Sequence, residues 1–266
     1  VKQIVRAVQQ EKTADVREAA VLALGAVGRD AAGPYTQQLL HIALHDSSIE
    51  VQYAAVKALC AVGETSRLSP EQLITALRDD ERPDVRWGAA EALAALGKEG
   101  APWAGALAKA LMDESWAVRR SAAEVLGKVG EAAAPAAKDF LQAALRDADA
   151  DVRRAAAEAL GAQGVAAGGL AGEVAELIGD KDKYVRSSAA AALGSLGEAG
   201  GGRYAERLSD ALRSTDVQLR RAAIKALGML GKAADPFKEQ LEASRDRDAD
   251  EEVRTAAHEV CARLGF

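Results

Sequence analysis

A string of fourteen residues returns eight times along this chain, and that recurrence leaves few folds open to it. It runs DVREAAVLALGAVG at 15–28, DVRRAAAEALGAQG at 151–164 and EVRTAAHEVCARLG at 252–265, with five further copies between them. The second residue of each copy is an apolar anchor: Val16, Val51, Val85, Val118, Val152, Val185, Leu219 and Val253. The anchors are 33 to 35 residues apart. A fixed period of this length predicts stacked supersecondary units, each burying its apolar face against its neighbours.

Within each copy the apolar residues fall at the anchor and four, eight and eleven positions later. That spacing predicts one buried face of a helix. Gln163 is the one polar departure. A glycine stands twelve positions past every anchor, from Gly28 to Gly265. A residue of that kind ends a helix by adopting the left-handed conformation. A second helix is expected before each string. Pro34, Pro70, Pro102, Pro135 and Pro236 open five of them, where a missing N–H costs nothing. Leucine pairs such as Leu73/Leu77 and Leu141/Leu145 mark their buried stripes. Asp46, Asp80, Asp113, Asp147, Asp180 and Asp248 each stand five residues before the next anchor. The unit is helix A, acidic turn, helix B, glycine stop.

These residues carry a resemblance. Asp five before a Val, with Arg directly after that Val (Arg17, Arg86, Arg119, Arg153, Arg186, Arg254, and Arg220 after Leu219), resembles the HEAT repeat. The short period and the VRxAAxxALGxLG string look most like its phycobilisome-lyase-like subclass. Ankyrin and tetratricopeptide signatures are absent. The resemblance implies a right-handed α-solenoid of eight HEAT-like helical hairpins, an all-α superhelix of the armadillo/HEAT kind, forming a single domain over 1–266. It implies that B helices line the concave surface, and that the turn Asp and Arg residues bond into a ladder. Two units depart from the pattern: Gln52 replaces the second Arg and Ser214 the seventh Asp.

Apolar residues make up 49% of the chain but aromatics only 4%, so alanine carries the apolar share, which suits closely packed helices. A net charge of −6 argues against a general nucleic-acid binder. Cys60 and Cys261 form no metal or redox spacing. They read as free buried thiols of an intracellular, reducing compartment. No apolar run is long enough to span a bilayer. The first helix, with Val1, Ile4, Val5 and Val8, reads as an open end and 236–248 as a polar cap.

Site chemistry is sparse. His41 and His45 have an i, i+4 spacing that suits a metal but lack a third ligand. His258–Glu259 resembles one of the His–Glu pairs of the HEAT-like deoxyhypusine hydroxylase. The matching positions elsewhere hold Ala–Glu, so no ligand set forms. The glycine clusters at 164–173 and 197–204 fit no phosphate-binding fingerprint and read as flexible joints between repeats. Trp116 and Tyr184 are expected to pack over their turns. No cofactor and no catalytic residue is expected.

The residue two past each anchor points away from the buried face. Here stand Tyr53, Trp87, Arg120, Arg154 and Arg221, of the types that carry binding energy. The expectation is a non-catalytic protein–protein interaction scaffold, part of a longer chain or a subunit of an assembly, gripping a protein partner there. Two alternatives stand beside it. One is an enzyme subunit resembling a phycobilin lyase, which binds a tetrapyrrole. The other is a nucleic-acid module, which the glutamates six past the anchors oppose.

Overall fold

The structure is a computed structural model that describes residues 1–62, 70–94 and 97–266, apart from the side chains of Arg29, Cys60, Gln72 and Glu99. Gly63, Leu96 and the Cys60 thiol therefore lie outside the described residues. Among the described residues there is no strand, and sixteen main helices form eight hairpins. In chain order the first four pairs are α1 (Lys2–Gln10) and α2 (Ala14–Ala26), α3 (Thr36–His45) and α4 (Ile49–Val62), α5 (Pro70–Asp79) and α6 (Pro83–Ala94), then α7 (Ala104–Ala110) and α8 (Trp116–Val129). The second four are α9 (Ala134–Ala144) and α10 (Ala150–Gln163), α11 (Ala171–Glu176) and α12 (Lys183–Ser195), α13 (Ala205–Ala211) and α14 (Val217–Met229), then α15 (Lys238–Arg247) and α16 (Glu251–Leu264). Even-numbered helices are the B helices. The residues gather into two compact units, Val1–Val125 and Leu126–Phe266, divided inside α8.

In both units the periodic apolar residues make the core. Leu73, Leu107, Leu141 and Leu208 on the A helices are fully buried, as are Leu93, Leu126, Leu160 and Leu193 on the B helices. Each such leucine contributes about 1.5–3 kcal/mol. Gln163 is buried with the rest of its stripe, and its Nε2 has no partner among the described residues. The first repeat differs. Its anchor Val16 is 43% exposed, because α1 buries only Val8 and leaves that edge of α2 uncovered.

The A helices begin differently from the sequence expectation. Pro34, Pro102 and Pro236 sit inside 3₁₀ turns, Gly33–Tyr35, Gly97–Trp103 and Gly231–Phe237, and the α-helix starts two residues after each proline. Pro70 and Pro135 do stand at α-helix starts. All these places spare the backbone N–H that proline lacks. The B helices stop as expected: Gly28, Gly97, Gly130, Gly164, Gly197, Gly231 and Gly265 all have positive φ.

A second set of glycines, nine past the anchor, sets how closely neighbouring B helices approach. A Cβ on Gly194 would lie 2.7 Å from Ala226 Cα, one on Gly161 3.0 Å from Ala192 Cα, and one on Gly25 2.8 Å from Ala58 Cα. Small faces small, so the backbones touch. The glycine clusters do the same for the A side of the second unit. Gly164–Leu170 and Gly197–Gly201 are 3₁₀ and α turns. Gly168 and Gly200 abut each other, and a Cβ on Gly201 would overlap the Leu193 carbonyl. These clusters are a tightly packed seam, where loose joints were expected.

Candidate partner-binding face

The turns come first, because they hold successive B helices in line. In the second unit Arg153 forks onto Asp180 with Nε at 2.8 Å and Nη2 at 2.9 Å. Its Nη1 donates to the Asp147 and Ala148 carbonyls of its own turn. Arg220 grips Asp248 the same way at 2.8 and 2.7 Å. In the first unit Arg17 grips Asp46 and Arg86 grips Asp113. Forked pairs of this kind fix orientation as well as adding energy. Each of these Asp residues also takes the backbone N–H two residues on, as Asp180 does from Asp182. In the second unit the residue two past each turn position caps the B helix: Asp149, Asp182, Asp216 and Asp250 all accept first-turn N–H groups.

Electrostatics follow the geometry. Burial pushes the Asp180 and Asp46 carboxyls up, but the facing Arg and the turn N–H pull both below the usual carboxylate range. Asp248 is held down first by Arg220. The two departures are met differently. Among the described residues Gln52 reaches the Asp46 carbonyl, at 2.7 Å, and its buried Oε1 has no partner. Asp80 instead takes Arg82 from its own turn at 3.1 Å. Where Ser214 stands, Asp216 receives Arg186 at 2.8 Å while also capping its helix. The sequence reading missed Asp216, although a ladder Arg facing Ser214 was the signal that a carboxylate nearby must serve.

The candidate residues then fall on the B-helix faces of separate units. In the first, Tyr53 and Trp87 come together as a stacked pair, ring centroids 5.3 Å apart and 21° between planes. Tyr53 is 43% exposed, and Lys57 Nζ lies 4.3 Å from its ring. Arg120 lies over Trp116 at 5.7 Å and beside Glu124 at 3.3 Å. In the second unit Arg154 pairs with Asp151 at 2.9 Å and Glu158 at 3.6 Å. Arg221 bonds Gln218 and pairs with Glu252. The arginines thus meet carboxylates of their own chain. Trp116 and Tyr184 do not pack over their turns: they are 46% and 56% exposed, because the first turn of a B helix faces outward there.

The His41 and His45 rings lie 4.7 Å apart, tilted by 51°, on the exposed side of α3. Burial, then His41 and Arg82, pushes the His45 imidazole pKa down. Shallow grooves of about 730 and 670 Å3 flank the pair. Among the described residues no group of three or more His, Cys, Asp or Glu is placed to hold a metal. His258 and Glu259 are both exposed on α16. Cys261 is buried, and burial raises its thiol pKa. Among the described residues no helix is long and apolar enough to cross a membrane.

Hairpins stacked by a turn ladder and a small-residue seam define an all-α solenoid. A family model for HEAT repeats matches residues 36–104, 70–161 and 170–262, and the chain belongs to that family. No curated protein matches its sequence. Among solved structures it is similar to the Escherichia coli protein YibA, at 20% identity and TM-score 0.67, over 99% of this chain and 92% of that one. A Kap121p mutant matches at 17% identity and TM-score 0.76, over 99% of this chain and 33% of that one. A designed armadillo repeat protein in complex with the peptide (KR)4 matches at 18% identity and TM-score 0.56, over 74% of this chain and all of that one. At these identities the likeness is one of fold.

Proposed function

We propose that this chain is a non-catalytic interaction scaffold, one repeat domain over 1–266, that binds a protein segment on its B-helix face. The observation that carries the reading is the Tyr53–Trp87 stack, which places two large aromatic rings side by side and within reach of solvent. Rings of this size supply contact area at little entropic cost and dominate interface energetics. The solenoid fold supports the reading, since its stacked helices present long surfaces to partners. The designed armadillo neighbour holds a peptide. Arg120 serves the face of the first unit as a rim residue that must exchange Glu124 for a carboxylate of a partner, and Arg154 and Arg221 hold the same repeat position on the second unit's own B-helix face.

The test is a double variant, Tyr53→Ala with Trp87→Ala, compared with the parent in affinity capture and in thermal melting. Loss of a captured partner with an unchanged melt supports the site. Full retention of every partner places binding elsewhere. The repeat string also resembles the phycobilisome-lyase-like subclass, and a visible absorption spectrum of the purified protein tests for a bound tetrapyrrole.

A further inference from the structure

Eleven residues past the anchor every copy of the repeat carries Val or Leu, except the fifth, which carries Gln163. That side chain is only 2% exposed, and the atom left without a partner among the described residues, Nε2, is a donor. Leaving a buried donor unmade is costly, so such atoms call for an occupant that satisfies them. Gln163 lines a cavity of about 40 Å3 between α9, α10 and the Gly164–Leu170 turn. A single water needs only about 10–15 Å3, so there is room for more than that. Lys138 of α9 stands at the cavity's edge: a Cβ on Gly169 would lie 3.8 Å from the Lys138 Nζ. Lys138 enters no ion pair among the described residues.

The lining selects the occupant. Its other side chains are those of Ala134, Leu160, Ala166, Ala167 and Leu170, and no carboxylate is among them. A buried water seeks about two to four polar partners and brings hydrogens of its own. Apart from Gln163 itself, no side chain here can accept them. An anion brings acceptors alone, and it meets a carboxamide N–H and an ammonium, both donors. Apolar walls lower the local dielectric and strengthen its attraction to Lys138.

We propose that this cavity binds a small monovalent anion, a halide or a carboxylate of formate size, held between Gln163 Nε2 and Lys138 Nζ. The bound ion ties α9 to the end of α10 beside the glycine seam, and so stabilises the second unit. The site stands apart from the B-helix face and does not depend on the reading proposed above. The test uses the full chain in sodium gluconate, an anion too large for the cavity. Gluconate is replaced stepwise by chloride or by formate at constant ionic strength, and thermal melting is followed.

A saturable rise of about 2–4 °C in the melting temperature is expected with at least one of the two anions. Half-effect at the lower concentration of chloride assigns a halide, and of formate a carboxylate. Gln163→Leu restores the side chain that Leu196 and Leu230 supply in the next two repeats, so folding is not at stake. In that variant the rise should vanish, and in Lys138→Gln the half-saturating concentration should increase about tenfold, the loss of one charge-assisted contact. Crystals soaked in bromide should show an anomalous peak beside Gln163 Nε2. A melt indifferent to the exchange of anions, a rise that survives in Gln163→Leu, parent-like affinity in Lys138→Gln, or water alone in the soaked cavity overturns the proposal.

Discussion

The B-helix faces of Val1–Val125 and Leu126–Phe266 share a buried register and differ on the outside. Val85 in one and Val152 in the other are both fully buried. Two residues on, one unit shows Trp87 stacked on Tyr53, and the other shows Arg154 between Asp151 and Glu158. The turns differ in parallel. The second unit has three consecutive Arg–Asp links, Arg153–Asp180, Arg186–Asp216 and Arg220–Asp248. In the first, Gln52 interrupts the series and half-exposed Arg82 serves Asp80 from its own turn. Stacking fixes the inward positions whatever the chain does, and only the outward ones are free to differ. The second unit reads as a brace, and the first carries the face proposed above to bind.

The largest effect should come from unmaking a link in the brace. Arg153→Ala leaves Asp180 in place with its guanidinium gone, and both side chains are more than nine-tenths buried. A loss of about 3–5 kcal/mol is expected in urea titration. A parent-like midpoint would show that the turn ladder is not structural. Next comes the seam. Gly194→Val must push α12 away from α14, since even a Cβ meets Ala226 Cα at 2.7 Å, and about 2–3 kcal/mol should be lost. The same change at exposed Gly179, where a Cβ meets nothing within 4 Å, should cost far less.

Acid should act on the ladder in a definite direction. The Asp46, Asp180 and Asp248 carboxyls are depressed in the folded chain. Their contribution is therefore complete above the unfolded carboxylate value of about 3.9, and it is lost as pH falls through their lower folded values. Stability measured from pH 6 to 2 should fall below about pH 4, and less steeply in Arg153→Ala. An identical acid limb in that variant would detach Asp180 from the effect.

The interruption itself can be repaired. Gln52→Arg should reach Asp80 as Arg86 reaches Asp113, and it removes the unpaired Gln52 Oε1. A gain of about 1 kcal/mol is expected, with slower amide exchange in α5 and α6. No gain would mean that Arg82 already does the whole task.

Much of this was legible in the sequence, for a physical reason. Helix B, its glycine stop and the Arg–Asp ladder recur because every interior repeat meets the same neighbours, so the same residues return. Three features were not legible. Val16 carries the anchor residue, but burial depends on what lies beside it, and α1 leaves it exposed. Asp216 stands two residues out of register, and only coordinates reveal that a shifted carboxylate still reaches Arg186. The glycine clusters looked like loops by composition, yet glycine also permits backbone contact, and Gly168 against Gly200 uses that property. On the outer face the sequence supplied the aromatic and arginine residues. The i, i+4 spacing of Arg120 with Glu124 and of Arg154 with Glu158 already offers those pairs, whereas Arg221 meets Glu252 of the next repeat, which no spacing within one helix dictates.

The smallest stability effect is predicted where the largest functional one is expected. Trp87 is half-buried on the outer face of α6, with Tyr53 as its ring partner. Removing it forfeits one aromatic contact, worth about 0.5–1.5 kcal/mol, and part of that contact returns as Tyr53 settles on α4. Trp87→Ala should therefore lower stability by less than about 1 kcal/mol, with the helical signal unchanged. Arg153→Ala should show the converse: a large stability loss, and full binding per folded molecule at low temperature. The two variants form a crossed test of brace against surface. If Trp87→Ala costs as much stability as Arg153→Ala, the aromatic pair is part of the brace, and the contrast between the two units does not hold.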